Sequence, residues 1–276
     1  MPEQPKALPV STSRPPKFAP EQESLFREVL ELLNRSNIPY VVSGAFALHE
    51  HTGIWRDTKD LDIFLAPEHV PSAIELLEQH GFHCEVCDPV WLAKVRRGDY
   101  FVDLITGMSN AVIRVDQSWI DRATLTEVLG VPAKALAAEE LIASKLFVTR
   151  RERFDGADIA HIVYAAGHVM EWNRLLHLAG NHWEMLLWSL VLFHYIYPMS
   201  NAVPLLVWDE LLTKFRADVE NPDVTAAFRG SLIDENMFAI DVNEWGLQNV
   251  IEHYRSQSAT PEVVAPEVVA PEEGAA

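Results

Sequence analysis

The spacing of apolar residues changes once along this chain, and the change limits the folds that the chain can adopt. Before Pro132, short apolar runs such as Asp60–Leu65 alternate with helical segments, whereas after it apolar residues recur mainly at three- and four-residue intervals. A period of two is typical of half-buried strands, and a period near 3.6 is typical of amphipathic helices. The sequence therefore predicts a sheet-containing region followed by an all-helical region.

Strands and helices alternate in the first region, which we place at residues 21–132. Helices are predicted over Glu21–Asn37, over Ala45–Glu50 and from Pro67 to the residue before Gly81. Strands are predicted over Pro39–Ser43, Asp60–Leu65, Phe82–Val86, Trp91–Val95 and Tyr100–Ile105. This order of elements indicates an α/β or α+β sheet domain.

The second region, residues 133–255, is predicted to be a helical domain. Its helices are expected over Ala133–Arg151, Asp158–Ala166, Glu171–Ala179, Trp183–Tyr197 and Val203–Phe215. It also carries five tryptophans, which we assign to the core rather than to a stacking platform because large aromatic side chains dominate core burial: Trp172, Trp183, Trp188, Trp208 and Trp245.

The two ends of the chain have a different composition. Residues 1–20 contain six prolines, and the segment from Pro261 repeats the sequence PEVVA. Because proline interrupts helices and cannot join a central strand, we predict disorder for residues 1–20 and 256–276.

Charge and hydropathy exclude several classes of protein. The chain has 22 Lys and Arg against 40 Asp and Glu, a net charge of −18, which repels phosphate backbones and disfavours a general nucleic-acid coat protein. Its two cysteines cannot form a disulfide framework. The longest apolar stretch, Trp183–Tyr197, is shorter than the about 20 residues that a membrane span needs. We therefore expect a cytoplasmic protein with no membrane partner.

Three aspartates stand within two predicted strands. Residues two apart on a strand share a face, so Asp60 and Asp62 lie side by side, and Asp103 interrupts the apolar run Phe101–Ile105. If the strands are neighbours, the three carboxylates converge and raise one another's pKa. Hard oxygen ligands of this kind favour Mg²⁺ or Mn²⁺. The alternative is that Asp60 and Asp62 mark an exposed strand end.

A glycine turn precedes these acids. The segment Ser43-Gly44-Ala45 runs from a predicted strand directly into a helix. Glycine lets a ligand approach the backbone, and the free N–H groups at a helix N-terminus favour phosphate. The pattern indicates a phosphate-binding turn beside the acidic strand.

In this order the motifs resemble those of nucleotidyltransferases of the DNA polymerase β superfamily. The matching positions are Ser43-Gly44-Ala45, Asp60-Leu61-Asp62 and Val102-Asp103-Leu104. The stretch Arg56–Asp62 and the later series Lys145, Arg150, Asp155 and Asp158 are similar to motifs of the bacterial AbiEii-toxin-like branch. The resemblance implies a polymerase-β-like α+β fold, a mixed sheet with flanking helices, followed by an all-helical domain.

The resemblance also implies a reaction, the transfer of an NMP from an NTP to an acceptor hydroxyl with release of pyrophosphate. Asp60 and Asp62 would hold two Mg²⁺ or Mn²⁺ ions against the triphosphate, and Asp103 would bind the ion that activates the hydroxyl. Ser43, Gly44 and Ala45 would contact the nucleotide. The acceptor is an RNA end, a protein hydroxyl or a small molecule, and an antitoxin is an expected partner.

The sequence alone allows two interpretations of several residues. Arg56 is either a triphosphate contact or a solvated loop residue, and Lys145 is either a phosphate ligand or an ion-pair partner of Asp155 or Asp158. The basic run Arg150–Arg153 is assigned to a solvated face rather than to an RNA-binding site. Because Ala45 stands where the family commonly has Gly or Ser, the alternative function is a non-catalytic nucleotide- or partner-binding module that retains the fold.

Overall fold

The computed structural model of the chain describes residues 16–56 and 58–258. Its centre is a seven-stranded sheet made of β1 (Val41–Val42), β2 (Asp60–Phe64), β3 (His83–Asp88), β4 (Leu92–Arg97), β5 (Tyr100–Ile105), β6 (Thr124–Val128) and β7 (Val131–Ala135). The strand order is β3-β4-β5-β2-β1-β7-β6. Two pairs, β2 with β5 and β1 with β7, are parallel, and the other four are antiparallel, so the sheet is mixed.

Helices cover the sheet and form the second half of the chain. They are α1 (Pro20–Arg35), α2 (Gly44–Thr52), α3 (Val70–Gln79), α4 (Gln117–Asp121), α5 (Ala138–Lys145), α6 (Gly156–Ala166), α7 (Trp172–Ala179), α8 (Trp183–Ile196), α9 (Leu205–Glu220), α10 (Gly230–Ile233), α11 (Ala239–Asn243) and α12 (Ile251–Ser258). Among the described helices, none combines the length and the apolarity that crossing a membrane requires.

The two faces of the sheet belong to two hydrophobic clusters. Leu61 and Ile63 of β2 pack in the cluster that contains α1 and α3. Phe64 of β2 and Ile105 of β5 pack in the other cluster, which contains α2, α4 and the helices from α5 onward except α11. Because strand side chains alternate between faces, Asp60 and Asp62 lie on the side of the helical half.

The prediction of a helix over Ala133–Arg151 is wrong at both ends, because the observed helix starts later and ends earlier. Residues 131–135 form β7, which pairs with β6 in a hairpin and, through Ala135, with Val42 of β1. Only Ala138–Lys145 is helical. The alanines favour a helix locally, but tertiary pairing with β1 overrides that weak propensity.

Other elements follow the predictions with shifted ends. The strand Tyr100–Ile105 is confirmed, α2 begins one residue earlier and ends two residues later than predicted, and α9 continues to Glu220. The hairpin strands β6 and β7, the short helix α4 and the helices α10 to α12 were not predicted. The strands and helices that were not predicted are short, and a short element shows little periodicity in its apolar residues.

The described structure reaches into both predicted disordered ends. Phe18 contacts Phe26 and Phe46, with ring-centroid distances of 5.7 and 5.8 Å. Helix α12 ends at Ser258, beyond the predicted start of the tail. The remainder of both predictions, residues 1–15 and 259–276, lies outside the described residues. The boundary between residues 21–132 and 133–255 stays a prediction.

The tryptophan prediction is wrong for two of the five side chains. Trp172 is buried, but Trp188 is 45% exposed and Trp245 is 66% exposed. Both exposed rings lie in the helical half, on surfaces that helical periodicity alone does not identify.

Candidate functional site

The three aspartates lie on two adjacent parallel strands. Asp62 of β2 is level with Asp103 of β5, and Asp60 is level with Phe101. Asp103 is buried, and Asp60 and Asp62 are partly buried. The Thr58 hydroxyl donates to Asp60 Oδ1 and to the Asp60 carbonyl, both at 2.9 Å, which orients the first carboxylate.

Burial and neighbouring carboxylates raise the pKa of Asp62 and of Asp103. Burial, followed by the negative charges of Asp60 and Asp103, raises the pKa of Asp62 to about 7, against an opposing effect of Lys145 and Arg153. Burial also raises the pKa of Asp103, although Lys94 Nζ lies 2.6 Å from its Oδ1. The cluster therefore carries negative charge that the surrounding cations do not fully compensate.

Gly44 brings the start of α2 against Asp62. The Ser43 amide donates to the Asp62 carbonyl at 2.9 Å, and α2 begins at the next residue. Gly44 has a φ of +57°, and a Cβ atom built there would overlap Asp62 Oδ2 and lie 3.0 Å from its Cγ. Glycine at this position thus allows the carboxylate to sit at the helix N-terminus.

The neighbours of Gly44 contribute backbone rather than side-chain groups. Ser43 is buried and makes no capping hydrogen bond through its side chain to a described residue, and Ala45 lies in the first turn of α2. The first N–H groups of a helix lack intrahelical acceptors and carry the positive end of its dipole. The turn therefore presents N–H donors next to the acidic strand.

Basic residues form ion pairs on the helical side of the site. Lys145 Nζ lies 2.6 Å from Asp155 Oδ2 and 3.1 Å from Asp158 Oδ2. Arg56 donates to Asp158 Oδ1 at 2.8 Å and lies 3.1 Å from His161 Nδ1. Asp158 thus joins Lys145 to Arg56. The ion-pair interpretation of Lys145 is what the structure shows, and contact of either cation with phosphate stays a prediction.

Arg153 is a site residue that the sequence analysis missed. Its guanidinium donates two hydrogen bonds to Asp155, both at 3.1 Å. These bonds are the main cause of its raised pKa, to which the charges of Asp62 and Asp60 add. The Arg153 side chain is still 69% exposed, so the assignment of the run Arg150–Arg153 to a solvated face is confirmed, although Arg153 also binds Asp155. Its place two residues before Asp155 was the available signal.

The fit of a divalent cation depends on these carboxylates. Their hard oxygen donors and their uncompensated charge suit Mg²⁺ or Mn²⁺. Asp103, however, is paired with Lys94, and within residues 16–56 and 58–258 no group of three or more His, Cys, Asp or Glu side chains is positioned to hold a metal ion. The donors fit such an ion chemically, while the side-chain positions do not form a ready-made coordination shell.

A protein-family model matches the part of the chain that contains this site. The model, described as "Nucleotidyl transferase of unknown function (DUF2204)", matches residues 22–173, more than half of the chain. The chain belongs to this nucleotidyl transferase family. The matched range contains the glycine turn, the three aspartates and all the basic residues described above, and it confirms the predicted superfamily and fold class.

Solved structures with similar folds include other nucleotidyltransferases. The antibiotic-resistance factor ANT(2″)-Ia is 17% identical over 63% of this chain and 97% of its own, with a TM-score of 0.41. The lincosamide antibiotic adenylyltransferase LnuA, with lincomycin bound, is 16% identical over 53% and 98%, with a TM-score of 0.37. An antigenic nucleotidyltransferase-like protein from Paracoccidioides brasiliensis is 18% identical over 66% and 91%, with a TM-score of 0.39. No curated protein sequence matches the chain.

Proposed function

We propose that this nucleotidyl transferase moves an NMP from an NTP to an acceptor hydroxyl with release of pyrophosphate. The observation that supports the proposal most directly is the contact between Gly44 and Asp62, because it joins a phosphate-binding helix start to a carboxylate. Asp60 and Asp103 extend the same acidic edge. The AbiEii-like branch, an antitoxin partner and a cytoplasmic location remain further parts of this proposal.

The backbone N–H groups and the charged side chains of this protein would have separate roles in the reaction. The N–H groups at the start of α2 would bind phosphate oxygens, and Arg56, Lys145 and Arg153 would balance the remaining phosphate charge. Asp60, Asp62 and Asp103 would hold Mg²⁺ or Mn²⁺. When bound, such ions stabilise both the attacking and the leaving oxygen of an in-line displacement.

The bond changes follow from the substrates. The acceptor hydroxyl oxygen forms a bond to the α-phosphorus, and the bond from that phosphorus to the bridging oxygen breaks. Pyrophosphate leaves with the bonding electrons, and the hydroxyl proton passes to solvent. Positioning and electrostatic stabilisation are the main protein contributions in phosphoryl-type transfer.

The proposal is tested by asking where a labelled nucleotide goes. The protein is incubated with each α-labelled NTP, Mg²⁺ and cell extract, and the labelled product is assigned as RNA, protein or small molecule. We expect transfer with the wild type, loss of transfer with Asp62→Asn and retention with Asp209→Asn, which removes an exposed acid from α9. Tight NTP binding without transfer would instead support the non-catalytic binding module.

A further inference from the structure

Two large aromatic side chains lie side by side on the surface next to this site. Phe154 is 51% exposed and Trp188 is 45% exposed, although each is large enough to contribute strongly to a core. Their ring centroids are 6.0 Å apart and their planes are inclined by 55°. The pair comes from two separate elements, the loop before α6 and the helix α8.

The backbone holds Phe154 in place. Thr149 and Phe154 form an antiparallel β-bridge, and the Asp155 amide donates to the Val148 carbonyl at 3.0 Å. The ring lies over Gly156, where a built Cβ atom would overlap Phe154 Cζ and lie 2.8 Å from Cε1 and Cε2. The absence of a side chain at Gly156 therefore makes room for the ring.

The neighbours of Phe154 place the aromatic pair beside the basic residues of the site. Arg153, which precedes it, donates two hydrogen bonds to Asp155, which follows it and pairs with Lys145. The aromatic surface is therefore contiguous with the residues to which we assign the phosphate charge. A ligand that places its phosphates near Arg153 has a planar surface within reach.

We propose that the surface formed by Phe154 and Trp188 binds a nucleobase, that of the bound NTP, with the base stacked on one ring and in contact with the other. This inference rests on the proposed function and names the residues that recognise the base. A nucleobase is planar and polarisable, and stacking on an aromatic side chain tolerates every base because each has a π-face. The pair consequently favours nucleotides over phosphate chains without selecting strongly among the four bases.

The test separates the base from the phosphates. Dissociation constants are measured, with Mg²⁺ and without acceptor, for each NTP and for inorganic tripolyphosphate. In the wild type, NTPs should bind more tightly than tripolyphosphate. Phe154→Leu and Trp188→Leu should each weaken NTP binding about 5- to 150-fold, the range expected for one stacked base, and leave tripolyphosphate binding unchanged.

Two further variants control for loss of folding and for surface effects. Gly156→Ala keeps both rings but forces Phe154 to move, so it should weaken NTP binding in the same direction. Trp245→Leu removes an exposed tryptophan outside the pair and should bind NTP as the wild type does. Thermal denaturation of each variant confirms that the fold is retained.

Each outcome decides the inference. Wild-type affinity for NTP in both folded leucine variants would overturn it, even if label transfer supports the proposed function. If these variants bind NTP normally but lose affinity for a short RNA, the base belongs to the acceptor and the assignment to NTP is wrong. If the wild type binds neither NTP nor tripolyphosphate, the proposed function fails together with the inference.

Discussion

Gly44→Ala is the substitution that most directly tests the geometry of the site. The alanine would have to adopt a φ of +57°, and its Cβ would overlap Asp62 Oδ2. Left-handed backbone costs a residue with a side chain about 1–2 kcal/mol. Moving the Asp62 side chain away from its rotamer adds about 0.5–1.5 kcal/mol. We expect a loss of about 1.5–3.5 kcal/mol in the free energy of unfolding.

A second glycine isolates the backbone part of this cost. Gly98, in the β4–β5 turn, has a φ of +61°, and a Cβ atom built there meets nothing within 4 Å. Gly98→Ala should therefore cost only about 1–2 kcal/mol. In an Asp62→Ala background, Gly44→Ala should cost close to the same amount, because the carboxylate that it displaces is absent.

The assay combines stability with nucleotide binding. Urea denaturation with EDTA gives the free energies of unfolding, and titration with NTP and Mg²⁺ gives the dissociation constants. Gly44→Ala should weaken NTP binding at least tenfold, whereas Gly98→Ala should leave it unchanged. If the two alanine variants lose equal stability and both bind NTP normally, Gly44 has no special relation to Asp62 or to phosphate.

Three further predictions concern the charges and the tail. Because the pKa of Asp62 is raised to about 7, the metal-free wild type should become more stable as the pH falls from 8 towards 4, and should lose that stability as the pH rises through 7. Asp62→Asn should be at least as stable as the wild type at pH 8 and should lack this gain at lower pH. Equal pH dependence of the free energy of unfolding in the two proteins, measured by denaturant melts, would contradict the assignment. Lys145→Met leaves Asp155 and Asp158 without their buried cation and should lower the free energy of unfolding, measured by urea denaturation, by about 3–5 kcal/mol. Lys145→Arg should retain most of the stability. A loss below about 1 kcal/mol in Lys145→Met would show that these ion pairs stabilise the fold little. Deletion of residues 259–276 should change the Tm by no more than about 1 °C, because a proline-repeat segment buries little apolar area. A drop of several degrees in the Tm measured by calorimetry would show that this segment packs against the rest of the fold.

Local geometry made part of the site predictable from the sequence. Asp60 and Asp62 share a face because alternation is a property of any strand, and the register of β2 follows from its apolar residues. Gly44 was identifiable for a similar reason, since a glycine between strand and helix marks a sharp change of backbone direction. Both inferences depend on residues that are close in the chain.

Local composition was misleading where long-range pairing decides the structure. The Ala-rich stretch after Pro132 was predicted as helix, yet its first residues pair with β1. That strand lies about ninety positions earlier in the chain, so no local pattern records the pairing. The missed hairpin is a different case, because β6 and β7 pair locally across the two-residue turn Leu129–Gly130.

The sequence by itself thus determined which residues share a strand face and where the glycine turn lies. Only the tertiary structure decided that Asp103 lies level with Asp62 and that Lys94 forms an ion pair with Asp103. It also placed Trp188 against Phe154 on the surface instead of in the core. Apart from the Lys94–Asp103 pair within the β4–β5 hairpin, these contacts join elements that are distant in the chain, and they form because the strands pair and helices pack against both faces of the sheet.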